Sequence, residues 1–173
     1  MEHSAEKTPP DVEQSFHQGA YRNSGDTMTA EAARQNIAMH AGRTEDFSHG
    51  YCYALRFGFR HLEEIQSKFD DIFFCLQILH NASYFVQPDS DLLVDLSEIL
   101  YGSILYVNRQ MKYERAIRVF AEVLSETLLS LFGQDPHPFV AFEHYRENYD
   151  DQLQETSFEQ HQTQGNSLCR SDG

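Results

Sequence analysis

The stretch from Pro88 to Phe132, PDSDLLVDLSEILYGSILYVNRQMKYERAIRVFAEVLSETLLSLF, constrains the fold more than any other part of the chain. Apolar residues recur there at steps of three and four through two segments, which predicts two amphipathic helices. The first has Asp89 or Ser90 as its N-cap after Pro88, with Asp91 in the first turn, where a carboxylate complements unpaired amides. Its apolar side is expected to carry Leu92, Leu93, Leu96, Ile99, Leu100, Ser103, Ile104 and Val107. The second places Ile117, Phe120, Val123, Leu124, Leu128 and Leu131 on one side, opposite Arg115, Arg118, Glu122 and Glu126, and stops at Gly133. With so short a connection near Gln110, the two helices must fold back antiparallel, and Phe120 is expected to face Leu96.

Within this hairpin, residues 97–124 resemble a single tetratricopeptide unit. The alternating small and large apolar positions of that family can be laid on Leu100, Ser103, Ile104 and Val107, then on Tyr113, Ala116, Phe120 and Val123. The segment MKYERAIRVF carries most of the likeness, because Ala116 is small enough to admit the partner helix. Ser103 and Ile104 depart from the leucine and glycine usual in the family, and no second copy follows at a period of about 34 residues. The resemblance implies a helical scaffold.

The rest of the chain extends the helical reading. Residues 1–27 mix Pro, Gly, Ser and charge with few apolar residues, so a flexible arm is expected there. Thr29 should cap a short alanine-rich helix, AEAARQNIAMHA, whose thin stripe of Ala33, Ile37 and Ala41 ends at Gly42. From Ser48 almost to Pro88 the periodicity continues through Tyr51, Leu55, Phe59, Leu62, Ile65, Phe69, Phe73, Leu76 and Leu79. That predicts one long central helix, or two separated near Ser67. A last short helix should turn Phe139, Phe142, Tyr145 and Tyr149 inward, and residues 151–173 form a polar, acidic tail expected to be disordered. The expected fold is therefore all-α: a small helical bundle over residues 28–150, with a long central helix, an antiparallel helical hairpin and flexible arms at both ends.

Charge narrows the partners. Thirteen Lys and Arg stand against 27 Asp and Glu, a formal charge of −14. Such a chain is repelled by nucleic acid and by anionic membranes, so neither is expected as a direct ligand. No hydrophobic segment follows Met1 and no apolar run approaches the length of a membrane span, which predicts a cytoplasmic protein, or a nuclear one in a eukaryote. Cys52, Cys75 and Cys169 are odd in number and widely spaced, unlike a disulfide framework.

Candidate chemistry is sparse. His49 and Cys52 could share a helix face, but no second pair has ligand spacing, so no metal is expected. Cys52 lacks a cation to activate it, and Cys75, between Phe74 and Leu76, suits a core. Paired carboxylates at Glu63-Glu64, Asp70-Asp71 and Asp150-Asp151 point apart on a helix, and no phosphate loop or nucleophile elbow occurs. No catalytic residue and no cofactor are expected.

One local feature runs against the overall charge. Arg109, Lys112, Arg115 and Arg118 cluster at the hairpin turn with only Glu114 among them. Lys112 sits at the positive end of the following helix, where its charge does not serve that helix. The cations either pair with the protein's own carboxylates or meet an acidic partner. Tyr101, Tyr106, Arg109, Lys112, Tyr113 and Arg115 are accordingly the expected protein-binding residues, since Tyr and Arg anchor interfaces well. A non-enzymatic adaptor, chaperone-like cofactor or regulator acting on another protein is the favoured function, with homo-oligomers left open. The alternatives are a regulator of a nucleic-acid-binding process, through the basic turn or by acidic mimicry of DNA, and a small helical enzyme.

Overall fold

A computed structural model describes residues 28–148 apart from Asn108, Gln110 and Met111. The expected arm over residues 1–27, the tail over 151–173, and Tyr149 and Cys169 lie outside the described residues. Six α-helices pack as a bundle, with no strand among the described residues: α1 (Ala30–Ala41), α2 (Tyr51–Phe57), α3 (Leu62–Asn81), α4 (Ser90–Val107), α5 (Glu114–Phe132) and α6 (Val140–Glu147). None of these helices is long and apolar enough to cross a membrane.

Local signals set the ends of α1. The Thr29 hydroxyl accepts a hydrogen bond from the Ala32 N–H (3.2 Å), and Gly42 closes the helix in the left-handed region (φ 86°). Gly42 N–H to Met39 and Arg43 N–H to Ala38 then satisfy two terminal carbonyls. A 3-10 turn, Phe47–His49, leads to Gly50, where a Cβ would stand 2.2 Å from the Met39 carbonyl oxygen. Only glycine lets α2 start against the end of α1.

The long periodic stretch is two helices, but they part at Gly58 and not near Ser67, which lies inside α3. Gly58 adopts φ 96°, a conformation that L side chains rarely take, and its N–H caps the Ala54 carbonyl at 2.8 Å. The central helix is thus α3, 20 residues long, shorter than a single 48–86 rod. Ile65, Phe69, Ile72, Phe73, Cys75, Leu76 and Leu79 are all fully buried, as its apolarity on more than one side predicts.

Helices α4 and α5 pack against each other as the hairpin predicts, but Val123 is outside the buried set and α4 is rotated from expectation. In α5 the buried residues are Ile117, Phe120, Ala121, Leu124, Thr127, Leu128 and Leu131. Phe120 stacks on Phe69 (centroids 3.8 Å, 7° between planes) and meets the rings of Tyr51 and Phe73 edge-on. In α4 the buried set is Leu92, Asp95, Leu96, Ile99, Ser103 and Tyr106, whereas Leu93 and Ile104, expected inside, are exposed. Two polar contacts explain the rotation. Tyr51, fully buried on α2, forms a 2.8 Å hydrogen bond with Ser103 Oγ, which itself donates to the Ile99 carbonyl. Asp95, 1% exposed, is met by Arg34 Nη1 at 2.7 Å and Arg43 Nη1 at 3.2 Å from α1 and its C-terminal turn. Gly102 completes the fit, since a Cβ there would press on Leu55 at 3.2 Å. From α6, Phe142 stacks on Phe73 (4.0 Å) and the Tyr145 hydroxyl donates to Gln66 (2.7 Å).

Candidate functional site

Two surfaces frame the candidate site: the loop end of the bundle and the outer side of α4. At the loop end, Tyr113 opens α5 in a left-handed conformation (φ 69°). Its hydroxyl donates to the Arg60 carbonyl at 3.4 Å, and Lys112 Nζ stands 4.5 Å from the centre of its ring. Phe59, buried, meets the Tyr106 ring edge-on at 6.3 Å. These contacts hold the α2–α3 loop and the α4–α5 turn together, though some fifty residues separate them in sequence.

The result is a convergence of cations. Arg60, from the first loop, joins Arg109 and Lys112, from the second, all three exposed, with Arg115 half-buried beside them. Arg118 pairs with Glu114 along α5. Among the described residues no carboxylate pairs with Arg60, Arg109 or Lys112. In a chain of charge −14 these cations run against the sign of the whole, although Glu64 accepts the Arg60 N–H at 2.9 Å and Glu114 lies in the first turn of α5.

The expected contact residues do not all present surface. Tyr106 is 4% exposed and its hydroxyl donates to the Lys112 carbonyl, so it holds the turn from inside and offers a partner no contact area. Tyr113 is half-buried and also serves the turn. Tyr101, by contrast, is 59% exposed on the outer side of α4. Around it lie Leu93, Val94, Ile104 and Leu105, each more than a third exposed, and a shallow open depression of about 490 Å³ is lined by Leu93, Val94, Ser97, Glu98 and Tyr101. Arg60 was invisible to sequence reasoning because its neighbours at the site come from a distant turn. The outer apolar side of α4 left a signal: that helix has more apolar residues than a single inward face can use.

No family model matches the chain, and neither curated proteins nor solved structures give a significant match.

The cysteines and histidines stand elsewhere. His49 is exposed in the 3-10 turn, while Cys52 is buried and its thiol donates to the Glu98 carbonyl at 3.7 Å. Burial pushes the Cys52 thiol up to about 12, against the pull of Arg56, and burial likewise pushes Cys75 to about 12. At pH 8 only on the order of one thiol in ten thousand would then be the nucleophilic thiolate. In a Cys169→Ser variant, a thiol reagent such as Ellman's should therefore leave the native protein unlabelled until it unfolds in denaturant. Rapid native labelling of Cys52 would mean an accessible, activated thiol.

Among the described residues His40 is the one buried histidine. Its Nδ1 accepts the Tyr51 N–H at 3.3 Å, so in the neutral ring Nε2 carries the proton and donates to Asp71 at 2.8 Å. Both nitrogens are committed to joining α1, α2 and α3. No group of three or more His, Cys, Asp or Glu residues suited to a metal ion occurs among the described residues.

Proposed function

We propose that the protein acts by binding another protein, with the cationic loop end of the bundle receiving an acidic segment of its partner. The observation that carries this reading is the meeting of Arg60 with Arg109 and Lys112 across two loops distant in sequence, on a chain whose overall charge is strongly negative. Such a patch attracts an acidic segment and repels most other acidic surfaces less than the rest of the molecule does, which favours one docking orientation. Tyr113 bridges the two loops through the Arg60 carbonyl, which brings their cation-bearing backbones to one end of the bundle. The protein is thus a non-enzymatic adaptor or regulator.

The test is capture from the native source with wild-type bait against an Arg60→Ser, Lys112→Ser double variant, read by quantitative mass spectrometry. Both substitutions lie on exposed side chains and should leave helicity unchanged. A partner retained by the wild type should be lost from the variant by about tenfold or more, and its retention should fall as salt is raised. Equal capture by both baits, or capture insensitive to salt, would reject the basic end as the contact.

A further inference from the structure

We propose that the acidic segment following α6, beginning with Asp150 and Asp151, docks on the cations of the loop end and competes there with an acidic partner. The competition rests on the function proposed above, whereas the docking stands without it.

The course of α6 leads that segment to the place. Its residues meet α3 in reverse order: Phe139 contacts the His80 ring, Phe142 stacks on Phe73, and Tyr145 meets Phe69 and Gln66. Helix α6 is therefore antiparallel to α3 and sends the chain toward the first turn of α3, which Arg60 precedes. About 6 Å along α3 separates Gln66 from Leu62, and the chain from Glu147 to Asp150 spans up to about 10 Å when extended. On α5, Phe120 stacks on Phe69 at the level of Tyr145, so the first turn of α5, with Arg115, lies further toward the loop end. The chain thus has the length to bring Asp150 and Asp151 to Arg115 and Arg60.

Charge favours this occupant. From Tyr149 to Cys169 the sequence has the carboxylates Asp150, Asp151, Glu155 and Glu159 and no Lys or Arg. Arg146, the nearest preceding cation, is engaged with α3: burial raises the Asp70 carboxyl, and Arg146 opposes that rise. Ahead of the segment stand Arg115 and then Arg60, Lys112 and Arg109, and the last three pair with no carboxylate among the described residues. Of the carboxylates at that end, Glu64 is held by the Arg60 N–H at 2.9 Å and Glu114 by Arg118, so neither is bound to those three side chains. Tethering adds to the attraction. A segment joined this closely to its site acts at an effective concentration of about millimolar, so a contact too weak to form between separate molecules forms within one chain. An acidic segment arriving from a partner must displace it.

The test uses the full chain with Cys169→Ser and a nitroxide on Gln152→Cys, since Cys52 and Cys75 are buried. At about 50 mM salt the amide NMR signals of Arg60, Lys112 and Tyr113 should lose about half their intensity or more, and about 500 mM salt should restore it. Asp150→Asn with Asp151→Asn should restore it as well, and the salt series on the unaltered carboxylates stands even if that variant fails to fold. Full intensity at low salt, or broadening indifferent to salt and to both substitutions, would overturn the inference. Competition is read with a deca-glutamate peptide, which should bind the Asp150→Asn, Asp151→Asn chain about twofold or more tightly than the wild type. Equal affinity for the two chains would overturn the inference and leave the basic end as a site for acidic segments. Salt-sensitive broadening, with partner capture indifferent to Arg60→Ser and Lys112→Ser, would uphold the docking and reject the proposed function alone.

Discussion

Replacing Arg34 by alanine should destabilise the fold by about 3 kcal/mol, because it leaves Asp95 in the α1–α4 interface without its closest counter-charge. Burial works against the Arg34 charge, but hydrogen bonds and Coulombic attraction from Asp95 and Asp89 outweigh that cost and raise its pKa above the ordinary value. Asp95 Oδ2 takes the 2.7 Å bond from Arg34, whereas Oδ1, 3.2 Å from Arg43, has the charge nearby without the alignment of a hydrogen bond. Arg43 therefore compensates only in part once Arg34 is gone. An isolated buried carboxylate is far costlier than an apolar replacement of the pair, so Arg34→Met combined with Asp95→Leu should recover much of the loss. Urea denaturation of the single and double variants decides the matter. A double variant as unstable as the sum of the singles would show that the ion pair is not acting as a unit.

Phe120→Ala should cost more, about 3–5 kcal/mol, and could leave no folded protein at physiological temperature. The ring is 1% exposed and sits among Phe69, Tyr51 and Phe73, so its removal opens a cavity where α2 and α3 meet α5. Glu122→Ala, on the exposed side of the same helix, should cost under about 0.5 kcal/mol. Comparable losses from both would place α5 in the wrong rotation.

The helical class and most element positions were legible because they rest on local chemistry. Thr29 and Gly42 bound α1 through hydrogen bonds to residues three to five positions away, and Asp89 caps α4 through the Leu92 N–H in the same manner. The inward side of α5 was legible too, since its apolar residues lie on one side and its charges on the other. The rotation of α4 was not. Apolar residues surround that helix, and the hydrophobic effect has no direction, so periodicity alone could not choose between Leu93 with Ile104 and Asp95 with Tyr106.

Of the candidate site, the hairpin turn and its cations were visible as a reversal of charge, and Tyr101 as an aromatic near it. Tyr106 was misplaced on the surface because nothing local distinguishes a tyrosine whose hydroxyl finds a carbonyl inside the turn from one that faces water. The break at Gly58 was also missed, because a glycine in a helical pattern either continues the helix or ends it, according to what packs against the next residues.

The sequence by itself determined that the chain is helical, where most helices start and stop, and which side of α5 is buried, all through contacts within a turn or two. Only the tertiary structure decided which side of α4 turns inward and that Arg60 joins the hairpin turn. Both choices rest on directional polar contacts between residues some fifty to sixty apart: Arg34 with Asp95, Tyr51 with Ser103, and Tyr113 with the Arg60 carbonyl. Such contacts select one packing among several that would bury similar apolar area, and they leave no periodic trace in the chain.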